Sequence, residues 1–312
     1  SCSLVGSEMC IRDRMKILNF GSLNIDYVYS VDHIVAPGET ISSTQLNVYP
    51  GGKGLNQSVA MARGGATVFH AGMLGEDGGM LRKTCEENHV DFSLIRTVEE
   101  RSGNAIIQVS GKGQNSIVLF GGANRKNEKA YVDEVLSHFG AGDLLLLQNE
   151  INLLDYLIER AAQRKMKIAL NPSPYDDAVK RCDLHKVHWL MMNEVEGSQI
   201  TGERDPDAVL EQIQKRYPQV HTVLTLGKAG AVYQAGRQRF YHGIYNVPVV
   251  DTTAAGDTFT GYFFSGVARG DSPQECLRLA SIASSLAVSR KGAIPSIPWR
   301  EEVLSAKLSC IT

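Results

Sequence analysis

Residues 247–270, VPVVDTTAAGDTFTGYFFSGVARG, run from a β-branched segment through a turn of small residues into a helical pattern. That is the local unit of an α/β fold, a strand whose end delivers the chain to a helix N-terminus. The turn, Asp251-Thr-Thr-Ala-Ala-Gly256-Asp257, leaves the first N–H groups of the helix without partners, and together with the helix dipole such groups bind phosphate oxygens. Ala254, Ala255 and Gly256 are therefore read as an anion hole. Asp257 stands at the helix entry, where a carboxylate can take the proton of an alcohol as phosphate moves onto it. An alcohol is too weak an acid for Asp to deprotonate in advance, so the proton leaves late, in a loose phosphoryl-transfer transition state. A plain helix cap is the competing reading of Asp257.

Outward from this unit, short apolar runs alternate with amphipathic stretches. Strands are expected near 16–20, 67–71, 143–148, 166–170, 187–192 and 221–226, and helices over 54–63, 77–89, 128–138, 152–165 and 205–216. This is the pattern of a mostly parallel sheet covered by helices on both faces. Two regions break it: 27–49 is strand-like without a helix, and 105–120 reads AIIQVS, GKGQN, SIVLF, two alternating runs around a glycine-containing turn. They predict a small separate sheet, inserted in pieces at about 27–50 and 100–121 into one α/β domain, able to cover a site at the edge of the main sheet. A further hairpin is expected from GAVYQ and RQRFYH at 230–242.

The chain has 312 residues, 43% of them hydrophobic, enough for a large core. Its 32 basic and 34 acidic residues nearly cancel to −2, so nothing draws it to nucleic acid or to a membrane surface. Its longest apolar runs, such as Leu144 to Leu147, fall far short of the roughly 20 residues of a membrane span. Cysteines at 2, 10, 85, 182, 276 and 310 form no CxxC pair or disulfide framework, which fits a reducing cytoplasm. Residues 1–14, SCSLVGSEMCIRDR, lack the apolar core of a secretory signal and read as a non-native leader before Met15, so Cys2 and Cys10 carry no functional weight.

Other constellations accompany Asp257. Gly51-Gly52-Lys53-Gly54-Leu55-Asn56-Gln57 is a glycine turn entering a helix, where backbone can approach a ligand and Asn56 projects donors and an acceptor; a surface turn reads equally well. It is not a P-loop. Asn24 and Asp26, two apart in extended chain, share a face and can grip adjacent hydroxyls of a polyol, against the plainer reading of a polar strand exit. Glu150 follows LLLLQN at a strand end. Asn193 and Glu196, three apart, could hold Mg²⁺ through water, or simply cap an acidic helix start. Thr225 and Gly227 end a strand where a nucleotide could lie, and the loop 287–296 offers carbonyls that, beside Asp251, could hold a monovalent cation. His185 and His188 lack an HExxH context and are read as structural.

Taken together, GSLNID (21–26), PGET (37–40), GGKGLNQ (51–57), GAN (122–124), NPSP (171–174), NEVE (193–196), VDTTAAGDTFTG (250–261) and RKGAIPSIPWREE (290–302) resemble the ribokinase family of sugar kinases from Met15 to about Leu304. The resemblance implies a three-layer α/β fold with a mostly parallel central sheet and a small β-sheet lid that doubles as a homodimer clasp. It implies ATP-dependent phosphorylation of the 5-hydroxyl of a pentose, D-ribose first, with Mg²⁺ and K⁺. By position it assigns Asn24, Asp26, Gly52, Lys53, Asn56 and Glu150 to the sugar and Asp257 to the base, with Ala254, Ala255 and Gly256 as anion hole. Asn193, Thr225, Gly227, Gly256 and Ser281 would serve the nucleotide, and Asn193 and Glu196 the magnesium. Asp251, Thr253, Ala287, Arg290, Gly292 and Ser296 would serve the potassium-type cation. Phe120, Asn104 and Ser281 depart from the family's pattern, the first two in the lid. They leave open a kinase for 2-deoxyribose or another furanose or nucleoside sugar. A rival of another class is a sugar-binding regulator without turnover, which the intact Gly256–Asp257 pair argues against.

Overall fold

The computed structural model describes residues 15–311, and the leader proposed at 1–14 lies outside the described residues. In chain order the first half comprises β1 (Ile17–Phe20), β2 (Asn24–Val31), β3 (Gln45–Gly51), α1 (Lys53–Arg63), β4 (Val68–Leu74), α2 (Gly79–Glu87), β5 (Asp91–Thr97), β6 (Gly103–Ser110), β7 (Asn115–Phe120) and α3 (Lys129–Ser137). Then follow β8 (Leu144–Gln148), α4 (Leu154–Gln163), β9 (Lys167–Asn171), α5 (Asp177–Lys180), β10 (Trp189–Asn193), α6 (Glu194–Thr201), α7 (Pro206–Arg216) and β11 (His221–Thr225). The chain closes with β12 (Ala231–Ala235), β13 (Gln238–His242), β14 (Ile244–Tyr245), α8 (Ala255–Arg269), α9 (Pro273–Val288), α10 (Arg300–Ser305) and β15 (Cys310–Ile311).

Nine strands form the central sheet in the order β13-β12-β11-β10-β9-β8-β1-β4-β5. Every pair from β11 to β5 is parallel, and the β12–β13 hairpin extends that edge antiparallel. Alternation of side chains sorts the strand residues between two cores. Ile17, Leu144 and Leu146 join the helices α1, α8 and α9 on one face, while Leu18, Phe20, Leu145 and Leu147 join α3, α4 and α7 on the other. LLLLQ is buried throughout because its strand is covered on both sides, so it shows an unbroken apolar run instead of alternation. The result is a three-layer α/β fold.

A second sheet, β3-β2-β6-β7, is drawn from two separated stretches of chain. β2 pairs antiparallel with β3 and parallel with β6, and β6 and β7 form the hairpin read from AIIQVS and SIVLF. The sheet stands at the C-terminal end of β1, whose chain turns through Gly21–Leu23 directly into β2.

Two expectations need correction. The apolar VPVV segment is not a strand: 246–250 is irregular, with Val249 65% and Val250 51% exposed, because no neighbouring strand offers it a ladder. β5, which the pattern reading did not place, is an edge strand whose alternation is blurred by an irregular register against β4. Among the described residues no helix is long and apolar enough to cross a membrane, and Cys85, Cys182, Cys276 and Cys310 are free thiols.

Candidate active site

The C-terminal ends of β1, β8, β9, β10 and β11 open on one side of the central sheet, where ligands of open α/β sheets bind. Two helices deliver their N-termini to the same place. α8 starts after Ala254, which adopts a left-handed conformation with φ of +57°. A residue with a Cβ pays on the order of 1 kcal/mol there, and the conformation turns the chain sharply into the helix. Ala255 and Gly256 form the first turn, so their N–H groups have no intrahelical acceptor. Asp257 is the third helical residue, one turn into α8, and not its cap; Ala254 at the cap position makes no side-chain capping bond.

α1 starts after Gly52, whose φ of +91° only glycine adopts freely. Its first residues press against the loop after β1, where a Cβ on Gly54 would overlap the Ser22 backbone. This brings Asn56 Nδ2 to 2.9 Å from Asp257 Oδ2 and Gln57 Nε2 to 2.9 Å from Asp257 Oδ1. The Lys53 N–H donates to Glu150 Oε2 at 3.1 Å, and its ammonium lies 4.0 Å from Glu150 Oε1. Ser22 Oγ donates to the same Glu150 oxygen. The Asn24 Oδ1 accepts from Asn124 Nδ2 at 2.7 Å, and Asn124 Oδ1 in turn accepts from the Leu23 N–H.

Four carboxylates surround one ammonium. Burial alone would lower Lys53, but Asp257, Glu150, Glu196 and Asp26 outweigh it and hold the side chain above its ordinary value, firmly cationic. Asp26 goes the other way: burial first, then repulsion from Glu150 and Asp257, push its carboxyl up to about 7, against the attraction of Lys53.

Three cavities lie around these groups, the second and third adjoining. One of about 330 Å³ is bordered by Asn24, Asn124, Glu150 and Phe120. One of about 250 Å³ contains Lys53, Asp257, Gly256, Ala255, Asn193 and Glu196. The third, about 410 Å³ and mostly apolar, holds Thr225, Gly227, Ser281, Val249 and Phe259 and shares Gly256 with the second. Asp257 and the N-terminus of α8 thus lie in the middle cavity, which adjoins the mostly apolar third, while the first lies beside Asn24 and Glu150.

Asn193 and Glu196 adopt the helix-start alternative in full. Asn193 Oδ1 accepts from the N–H groups of Val195 and Glu196, and Glu196 Oε2 accepts from the Asn193 N–H, a reciprocal capping box on α6. Both still border the middle cavity. Asp251 is tied to the closing loop: Oδ1 accepts from the Thr253 N–H and hydroxyl, and Oδ2 from the Gly292 N–H at 2.9 Å. Burial would raise its carboxyl, but these three donors hold it below the usual range. The Ala287 carbonyl accepts from the Arg290 N–H, while the Arg290 side chain turns away to Glu302. Ser296 is fully buried, its hydroxyl donating to the Ala293 carbonyl. His185 packs edge-on against Tyr217 and His188 accepts from the Ile168 N–H. No cluster of three metal-ligating side chains occurs among the described residues.

Pattern reading missed Gln57, Ser22 and Asn124. Asn124 stands in the quoted GAN triplet, but only the fold carries it 100 positions back to Asn24.

The model of the pfkB family carbohydrate kinases matches residues 14–300. The ribokinase of Haemophilus influenzae is 34% identical over 305 residues, covering 93% of this chain and 98% of its own length. A crystal structure of ribokinase from Cryptococcus neoformans in complex with ADP superposes with a TM-score of 0.81 at 32% identity, over 93% of this chain and 99% of that one. The structure of Arabidopsis thaliana ribokinase complexed with ribose and ATP superposes with a TM-score of 0.78 at 30% identity, over 93% of this chain and 97% of that one.

Proposed function

This chain belongs to the pfkB family of carbohydrate kinases, and from that premise we propose that it transfers the γ-phosphate of ATP to the 5-hydroxyl of D-ribose, giving ribose 5-phosphate and ADP. The observation that carries the reading is Asp257 at an unpartnered helix N-terminus, in a cavity that adjoins an apolar slot on one side and, through the Lys53–Glu150 pair, the pocket beside Asn24 on the other. The similarity to a ribokinase complexed with ribose and ATP supports the choice of both substrates.

In this mechanism Asn24, Asp26, Gly52, Lys53, Asn56 and Glu150 hold the sugar hydroxyls and aim the primary alcohol at Asp257. The carboxylate accepts the proton as the bond to phosphorus forms. The N–H groups of Ala255 and Gly256, with the dipole of α8 behind them, receive the charge that builds on the transferring phosphoryl oxygens. Thr225, Gly227 and Ser281 border the slot for the nucleotide.

Magnesium fits as an ion brought in on the nucleotide phosphates and held through water by Glu196, since the Asn193 carbonyl is taken by the α6 cap. When bound it neutralises phosphate charge. A monovalent cation would be held by oxygens of Asp251 with Thr253 and of the loop carrying Ala287, Arg290, Gly292 and Ser296, two segments that the Gly292 N–H to Asp251 Oδ2 bond brings side by side. Its positive charge would add to that of the helix N-terminus. The apolar Phe120 at the sugar pocket favours 2-deoxyribose as the second reading, since a pocket short of one polar partner discriminates a missing hydroxyl weakly.

The test is ADP release from Mg-ATP with ribose, 2-deoxyribose, fructose, arabinose and adenosine, each with potassium or sodium. Turnover fastest on ribose and raised by potassium is expected; a faster rate on 2-deoxyribose moves the assignment to the second reading. Binding of sugar without any turnover would make the chain a regulator.

A further inference from the structure

Asp257 is held by a line of buried amides that never reaches the cavities. Gln57, Gln148, Asn19, Ser58 and His70 are all fully buried. Gln57 Nε2 donates to Asp257 Oδ1, and its Oε1 accepts from Gln148 Nε2 at 2.7 Å. The same Gln148 nitrogen donates to Asn19 Oδ1 at 2.9 Å, and Asn19 Nδ2 donates to the Gly54 carbonyl at 2.7 Å and Ser58 Oγ at 2.8 Å. Ser58 Oγ meets His70 Nδ1 at 2.8 Å, and His70 Nε2 faces the Gly21 carbonyl at 3.3 Å.

The direction of every bond follows from the two ends. An ionised carboxylate only accepts, so Gln57 must turn its NH₂ to Asp257 and its carbonyl to Gln148. Gln148 must then present its NH₂, whose second hydrogen goes to Asn19, and Asn19 must present its NH₂ to the Gly54 carbonyl and to Ser58. Ser58, already accepting, donates to His70 Nδ1, which leaves the imidazole proton on Nε2 against Gly21. Burial keeps that imidazole neutral, with its pKa pushed down to about 4. No amide can flip without setting its oxygen against an acceptor. Gln148 Oε1 is left without any partner, so the sequence of donors is kept although it strands a buried acceptor. Room for that oxygen exists because residue 21 is glycine: a Cβ there would lie 2.5 Å from it.

We propose that Gln57 and Gln148 are positioning residues for phosphoryl transfer: through them the interior of the sheet sets the rotation of the Asp257 carboxylate toward the cavity. Asn56, which grips the other oxygen, cannot do this alone, because its own Oδ1 is buried without a partner among the described residues. Gln57 contributes orientation without touching substrate. The inference rests on Asp257 being the base.

The experiment compares full-length Asp257→Asn, Gln57→Met, Gln57→Glu and Gln148→Met with the parent, measuring kcat, KM for sugar and ATP, the pH profile of kcat, and thermal melting. Gln57→Met is expected to lower kcat roughly tenfold to a hundredfold, as a misaligned reacting group does, with both KM values within about threefold. Gln57→Glu puts a second carboxylate against Asp257 in place of a donor, so the acid limb of kcat is expected to move up by about one pH unit or more. Lys53 and Asp26, which also face Asp257, and Glu150 and Glu196, which face Lys53, are unchanged in every variant and do not account for such a shift. Should the Gln57 variants not fold, Gln148→Met carries the same expectation for kcat, since it removes the donor that holds Gln57 Oε1 and so loosens the side chain that orients Asp257. Parent-like kcat and acid limb in a folded Gln57 variant would overturn the proposal, as would kcat and KM changing in parallel with no movement of the limb. Turnover surviving in Asp257→Asn would instead overturn the reading of the base itself.

Discussion

At the level of single residues, Asp26 is a carboxyl held in the candidate site at the expense of stability. Its carboxyl is raised to about 7 by burial and by Glu150 and Asp257, whereas in the unfolded chain it titrates near 3.8. Between those values the folded protein binds more protons than the unfolded one, so stability falls as pH rises through that window and the full cost is present above it. Asp26→Asn removes the ionisation. Its melting temperature is expected to exceed the parent's at pH 8, with the difference shrinking toward pH 4, while sugar affinity falls; an equal shift at both pH values would show that charge is not the cause. Asp257 itself was legible from its glycine-rich surroundings. Gln57 was not, although it sits beside Asn56, because adjacent residues on a helix point about 100° apart and only tertiary packing brings both to one carboxylate.

At the level of elements, the site depends on how closely α1 crosses α8. Gly261 is the contact: a Cβ there would overlap Ala60 Cβ and press the Met61 backbone. Gly261→Ala is expected to cost roughly 1–3 kcal/mol in unfolding, the range of core overpacking, and to lower kcat because Asn56 and Gln57 ride on α1 while Asp257 rides on α8. Chemical denaturation and steady-state kinetics of the same preparation check both effects; loss of stability without loss of kcat would separate the crossing from the chemistry. The elements themselves were legible where packing is two-sided, as in β8, and misleading where it is absent. VPVV has the composition of a strand, yet strand propensity expresses a fit to neighbours, and this segment has none.

At the level of the whole molecule, the small sheet presents an unpaired apolar face. By register, Val48, Tyr27, Ile106 and Val118 form one row across it, and Leu46 and Phe120 share that side. Leu46, Val48, Ile106, Val118 and Phe120 are 39–64% exposed, the kind of contiguous surface that marks an association site. We infer that a second copy of the chain covers it. Light scattering is expected to give a dimer for the parent and a monomer for Ile106→Glu with Val118→Glu; a monomeric parent would rule the homodimer out.

The sequence by itself determined the α/β class, the inserted sheet, and the two glycine-rich helix starts, because buried strands, alternating hairpins and helix N-termini are written in local composition and periodicity. It also carried the reading of Asp257 beside the Ala254–Gly256 turn, because that turn adjoins it in the chain. Tertiary structure alone decided which groups grip that carboxylate, that Asn124 braces Asn24, and that Asp251 is bound to Gly292, because these partners lie between 41 and 201 positions apart. Contacts at such separations are set by strand order and helix crossing, and no local pattern encodes them.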